Sequence, residues 1–247
     1  MTKSKIYLLG ALLIPLAVAV IVSCTKSFDE KTAQQKSFNN SSLIQVYMAM
    51  GNVARNYVWV DGNLITGSLM SSGSLFPSTA YAASIEPGVK SFLVRDTLST
   101  SAQVPINFAE NMQVGKQYTI FIYDTLSAPK QKTVETNIVI PADTTARIRF
   151  ANFAHTKTAV PGVDVFSKRL NRNIFTNVNI SEVTDFIPFP SSFTDTLSVR
   201  STGTLTDLVV LNTVSLGRKR SATLVLRGSY YVTSGVHARA LSVFTNY

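Results

Sequence analysis

The chain has 247 residues, of which 45% are hydrophobic and only 15% charged, and its formal net charge is +9. Val, Ile, Thr, Phe and Tyr dominate most of its length, which argues against a helical protein. A single cysteine excludes an internal disulfide, and two histidines leave little from which to build a zinc site.

The N-terminus is built in three parts. Lys3 and Lys5 supply positive charge, residues 6–22 form an uncharged apolar run, and Ile21-Val22-Ser23-Cys24 closes it. This is the layout of a secretory signal, expected over residues 1–23. The tetrapeptide resembles the lipobox of bacterial lipoproteins. That resemblance implies cleavage before Cys24 and fatty acylation (palmitate-type chains) of its thiol, with the small Ser23 fitting the peptidase cleft. An uncleaved transmembrane helix is the alternative, but a run of about 17 residues is at the short limit for a bilayer. Lipidation also accounts for an odd cysteine in an exported chain, where a free thiol is a liability. Several acyl chains anchor stably where one does not. Thr25, rather than Asp, follows the cysteine, which by resemblance to the enterobacterial sorting rule implies the outer membrane. Asp29 and Glu30 resemble the early acids of Bacteroidetes lipoproteins displayed on the cell surface. Surface and periplasmic orientations both stay open. Loss of the signal removes Lys3 and Lys5 and no acid, so the charge falls from +9 to +7.

Residues 24–42 read as a lipidated tether. They are polar, with Gln34-Gln35 and Asn39-Asn40-Ser41-Ser42, and follow neither the helix nor the strand period. A flexible coil of about 18 residues holds a body on the order of 20–25 Å from its anchor.

From Leu43 the pattern is short alternating runs between turn residues. Ile44, Val46, Met48 and Met50 share one face, with Gln45, Tyr47 and Ala49 opposite. Val58 and Val60 alternate with Tyr57, Trp59 and Asp61, and Asp61-Gly62 supplies a hairpin turn. Further strands are expected at 91–95, 104–108, 117–123 and 134–140, with Pro141 closing the first half. The second half offers 146–152, 163–166, 196–200, 205–211, 222–227 and 238–244. Many short strands at this spacing predict an all-β sandwich or barrel.

The halves resemble each other in three places, in the same order. Phe92-Leu93-Val94-Arg95-Asp96-Thr97 matches Leu197-Ser198-Val199-Arg200-Ser201-Thr202. Gly115-Lys116-Gln117-Tyr118-Thr119-Ile120-Phe121 matches Gly217-Arg218-Lys219-Arg220 followed by Thr223-Leu224-Val225. Val60-Asp61-Gly62 is set against Val163-Asp164-Val165. A duplicated module follows, with a first domain at 43–141 and a second at 142–247.

Ala146-Arg147-Ile148-Arg149-Phe150-Ala151-Asn152-Phe153, then Val160-Pro161-Gly162-Val163-Asp164-Val165-Phe166, resembles the opening of the bacterial family called domain of unknown function 4397. The strands beginning Gly115-Lys116-Gln117-Tyr118-Thr119 and Gly217-Arg218 resemble a later element of that family. Its usual Ser-Pro-Asp-Ala-Pro turn is absent, and His155-Thr156-Lys157-Thr158 stands there instead. The resemblance is best over 146–227 and implies two tandem immunoglobulin-like antiparallel β-sandwich domains without an established activity.

Candidate chemistry is sparse. His155 in a turn and His237 beside the last strand have no short ligand spacing, so no metal site and no cofactor is expected. No Gly-x-Ser-x-Gly turn, phosphate loop or carboxylate pair stands out, most acids lie beside turns, and Asp164 reads as a strand-start cap; no catalytic residue is assigned and the chain is not read as an enzyme. Aromatics are the better candidates. Tyr57 and Trp59 share a strand face with Asp61 next to them, a set suited to a sugar ring and its hydroxyls, although a lone Trp in a sandwich is more often core. Tyr230 and Tyr231 lie in a Gly-bounded loop and read as exposed. Lys168, Arg169 and Arg172, and Arg218-Lys219-Arg220, read as solvated hairpin tips. The anchor places the protein outside the cytoplasm, away from nucleic acid. Two readings follow: a lipid-anchored, non-catalytic binding or adhesion module for a glycan or protein, or a structural accessory subunit of an outer-membrane or periplasmic assembly.

Overall fold

A computed structural model describes residues 40–138 and 140–247. The signal peptide, Cys24 and tether residues 24–39 lie outside them. The described chain is all-β. Its first half carries β1 (Ser42–Met48), β2 (Asn56–Val60), β3 (Asn63–Leu64), β4 (Leu75–Phe76), β5 (Ala83–Ile85), β6 (Gly88–Asp96), β7 (Ile106–Met112), β8 (Gln117–Thr125) and β9 (Ala128–Glu135). Its second half carries β10 (Ala146–His155), β11 (Val163–Ser167), β12 (Arg172–Val178), β13 (Ile187–Phe189), β14 (Thr194–Ser201), β15 (Asp207–Ser215), β16 (Ser221–Ser229) and β17 (Ala240–Thr245).

These strands make four sheets, two per half, with one strand order repeated. β4-β1-β8-β9 recurs as β13-β10-β16-β17, and β3-β2-β6-β7 recurs as β12-β11-β14-β15, with β5 as an extra partner of β1. Pairing is antiparallel except for one parallel pair in each half, β1 with β8 and β10 with β16. Between the sheets of the first half lies a core including Ile44, Val46, Phe92 and Ile120; the second half has its counterpart in Ile148, Phe150, Leu197 and Leu224. Each half is therefore a β-sandwich.

The cross-strand register corrects one part of the internal match. Val58 faces Val94 and Val165 faces Val199. Since Val94 and Val199 correspond, Val165 corresponds to Val58 and Val163 to Asn56, so Val60 lies four residues past the position it was set against. Asp61 and Gly62 instead form the two-residue turn of the β2–β3 hairpin, both with positive φ (48° and 78°), as a primed turn requires.

Other boundaries also move. The strand expected at 134–140 is β9, which ends at Glu135 and begins at Ala128. Its Pro129, Lys130 and Lys132 suit an edge strand, where Pro removes no needed donor and Lys discourages further pairing. β3, β4, β5, β12 and β13 are short or bulged and leave no clean alternation; Arg172, expected in a turn, opens β12. Ser42, expected in the tether, opens β1 and is fully buried, its hydroxyl donating to the Gln113 carbonyl at 2.6 Å.

Both faces of β1 are buried, that of Gln45 and Tyr47 as well as that of Ile44, Val46 and Met48. Tyr47, Phe121, Phe153, Val225 and Phe244 form a third apolar cluster between the two sandwiches. Tyr47 stacks on Phe244 at 5.2 Å and Phe121 packs on Phe153 at 4.7 Å. A buried polar seam continues this layer. Arg149 Nε donates to Thr223 at 2.9 Å, and its Nη2 donates to Thr119 at 3.0 Å and Thr136 at 3.1 Å. Asn246 accepts from Thr223 and donates to Gln45 at 2.9 Å. The two sandwiches form one compact unit.

Candidate binding cleft

Parallel pairing within each half sets the site. Because β1 runs with β8 and β10 with β16, their C-terminal ends emerge side by side, and the segments that follow them meet. Asn52, beyond β1, donates its N–H to the Val236 carbonyl at 3.1 Å. Ser229 N–H bonds the His237 carbonyl and Tyr230 N–H bonds the His155 carbonyl, each at 2.9 Å. Arg239 braces the returning loop from within, donating to the carbonyls of Tyr230 at 2.7 Å and Leu208 at 2.6 Å. A fixed loop can present a side chain without losing much freedom on binding.

What it presents is Tyr231. Its neighbour Tyr230 is only 6% exposed and sits in the core of the second sandwich, whereas Tyr231 is 63% exposed. The expectation that both are exposed fails for Tyr230. The ring of Tyr230 instead supports Tyr231 edge-on, with centroids 5.1 Å apart at 74°. Tyr231 borders a cleft of about 520 Å³ with His155, Thr156, Thr158, Ser229 and Asp124. A second hollow of about 250 Å³ shares His155 and Asp124 and adds Asn52 and His237.

The two histidines, 82 residues apart and read as unrelated, thus line one pocket. No local spacing could have shown this; only the pairing of β10 with β16 brings them together. His155 closes β10 rather than lying in a turn. Its Nδ1 is buried without a hydrogen-bond partner. Burial holds the imidazole below the ordinary histidine range; the Asp124 carboxylate opposes this and His237 adds to it. Asp124 is paired with Lys130 at 2.7 Å, whose ammonium it holds above the usual lysine value by that bond. Among the described residues no group of three or more His, Cys, Asp or Glu side chains is placed to hold a metal ion.

The other candidates lie elsewhere. Tyr57 and Trp59 stand on the outer face of the β2–β6 sheet, half-buried, with rings 5.9 Å apart in an edge-to-face contact. The core position expected for the lone Trp is not what the fold provides, because Val58 and Val60 take the inner face. Arg95 lies over the indole at 5.0 Å, a cation–π contact that occupies the ring. Asp61 does not join them as an acceptor. It is held in the hairpin turn by Lys90 Nζ and the Ser91 N–H, each at 2.9 Å, and the Lys90 and Ser91 bonds lower its pKa. Asp164, read as a cap, accepts from Asn173, the Asn177 N–H and Thr202, and so ties β11 to the bulge of β12 and to the end of β14.

No protein-family model matches the chain, and no curated protein matches it. Among solved structures it is similar to a family 26 carbohydrate-binding module, CBMbc of Amy13K from Eubacterium rectale, solved in complex with maltoheptaose. The identity is 12%, the TM-score 0.28, and the match covers 83% of this chain and 96% of that one. A likeness at that level carries no functional argument.

Proposed function

We propose that this chain is a lipid-anchored, non-catalytic binding protein of the bacterial outer membrane, and that the Tyr231 cleft holds a glycan. The observation that carries the reading is an exposed aromatic ring, fixed by a buried one, beside a cleft lined with hydroxyls and an imidazole. A sugar ring offers C–H groups to the face of Tyr231 and hydroxyls to Thr156, Thr158, Ser229 and His155. Asp124, the acid of the cleft, is already paired with Lys130, which suits a binding role better than proton transfer. The anchor rests on the lipobox-like Ile21-Val22-Ser23-Cys24, and the lack of assigned activity in the family resembled by residues 146–227 is compatible with it.

An envelope-assembly role would need a broad apolar face left for a partner. Here the outer faces of the sheets containing β1 and β10 are buried against each other, which favours the binding reading. The test is a glycan array probed with the full lipidated protein in detergent, followed by titration of any hit. Tyr231→Ala is expected to weaken binding about tenfold, in keeping with loss of an aromatic anchor. An array without hits, or a hit indifferent to Tyr231→Ala, sinks the proposal; a hit lost in Trp59→Ala instead would move the site to the sheet face.

A further inference from the structure

Toward the other end of β10, at Arg149, about 20 Å from His155 by the strand rise over six residues, a larger cavity opens on the polar seam. Its volume is about 550 Å³. Arg149 lines it, although Arg149 is only 3% exposed. A guanidinium has five N–H groups. Three are used, by Thr223, Thr119 and Thr136, all neutral hydroxyls. No acceptor for Nη1 and no carboxylate paired with Arg149 is found among the described residues. Phe186 lies 4.7 Å from the guanidinium carbon and fixes its plane. Asp185 is the carboxylate whose charge reaches Arg149, but it makes no ion pair with it; a buried cation held by neutral hydroxyls is costly, and their dipoles offset only part of that cost.

We propose that Arg149 is the anchor of an anion site, and that the ligand is a carboxylated sugar whose carboxylate accepts from Nη1. The rest of the lining chooses between anions. Asp185, Glu135 and Arg147 also face the cavity; Glu135 is bound to Lys116 at 2.6 Å and Arg147 lies 4.0 Å from Asp143. Asp185, without an ion pair among the described residues, disfavours a phosphate or sulfate dianion beside Arg149. A monoanion rich in hydroxyls is not disfavoured: its carboxylate meets Arg149 while its hydroxyls donate to Asp185 and bond Asn137 and Ser221. The space suits one or two sugar rings and is generous for a free amino acid, whose ammonium would seek Asp185 instead. This site is independent of the Tyr231 cleft.

The experiment is calorimetric titration of the full-length protein in detergent with galacturonate, a monoanion, with galactose as the neutral control and glutamate as the amino-acid control. Galacturonate is expected to bind saturably, at least tenfold tighter than galactose and with glutamate silent. Arg149→Met should abolish that preference, while thermal melts show the variant folded, because Met fills the site without a buried charge. Asp185→Ala, at the rim, should weaken galacturonate at least threefold and decides the matter if Arg149→Met does not fold. Tyr231→Ala should change nothing. Absence of galacturonate binding, equal binding of galactose, preference for glutamate, indifference to Asp185→Ala, or loss on Tyr231→Ala would each overturn the proposal.

Discussion

His155 is the side chain at which stability is expected to depend on pH. Its folded pKa is held below the ordinary value of 6.5 by burial, against the pull of Asp124 and with help from His237. The native state therefore binds fewer protons here than the unfolded chain. Stability contributed by this group rises with pH through the window between the lowered value and 6.5, and is lost as pH falls through it. In melts from about pH 7 down to about pH 5, His155→Gln should lose less of its midpoint than the wild type. Parallel curves for the two proteins would assign the acid sensitivity to other groups. The residue scale also shows the limit of sequence reading. Tyr230 and Tyr231 are chemically alike and adjacent, and nothing local says which enters the core. The supports of the loop decide it: the Tyr230 N–H is bonded to His155, its carbonyl accepts from Arg239, and its ring is drawn into the second core.

At the scale of elements, β16 depends on a glycine in its last turn toward the cleft. Gly228 has φ +86°, and a Cβ there would stand 2.2 Å from the Ala238 carbonyl oxygen. The returning loop passes that close because Ser229 and Ala238 form a bridge. Gly228→Ala combines left-handed strain with overpacking and should destabilise the protein by about 2–4 kcal/mol, measured by chemical unfolding. A cost below about 0.5 kcal/mol, the range of ordinary surface changes, would mean the loop is not held as described. The same scale explains which strands were legible. β1, β2, β8, β10, β14 and β16 are central, and alternating apolar residues mark them. β9 and β12 are edges, pairing on one side only, so polar and basic residues are tolerated and the pattern fades.

For the molecule as a whole, the layer between the sandwiches packs two similar halves into one compact body. Trp59 is the only tryptophan and reports on the first sandwich. Phe244 belongs to β17 of the second sandwich but stacks on Tyr47 of the first. Phe244→Ala should cost about 3 kcal/mol and lower the unfolding midpoint seen by Trp59 fluorescence, which should coincide with the calorimetric transition. Two separate transitions, with Trp59 blind to Phe244→Ala, would show independent halves. The anchor is tested at this scale too. Cys24→Ala should move the protein from the membrane to the soluble envelope fraction with its melting curve unchanged, since β1 begins well after the cysteine. A variant that stays with the membrane would make the apolar run the anchor.

Alternation and turn residues alone were enough for the all-β class and the Asp61-Gly62 hairpin. These are set by near neighbours in the chain. The sequence also supplied the lipobox-like segment on which the anchor proposal rests. Only the tertiary structure decided that both faces of β1 and β10 are buried, that Trp59 lies outside the core, and that His155 meets His237. It alone placed the buried Arg149 against a cavity without an ion pair. Those outcomes depend on which sheet packs on which and on where parallel strands end together, and contacts between strands of different sheets leave no mark in a local pattern.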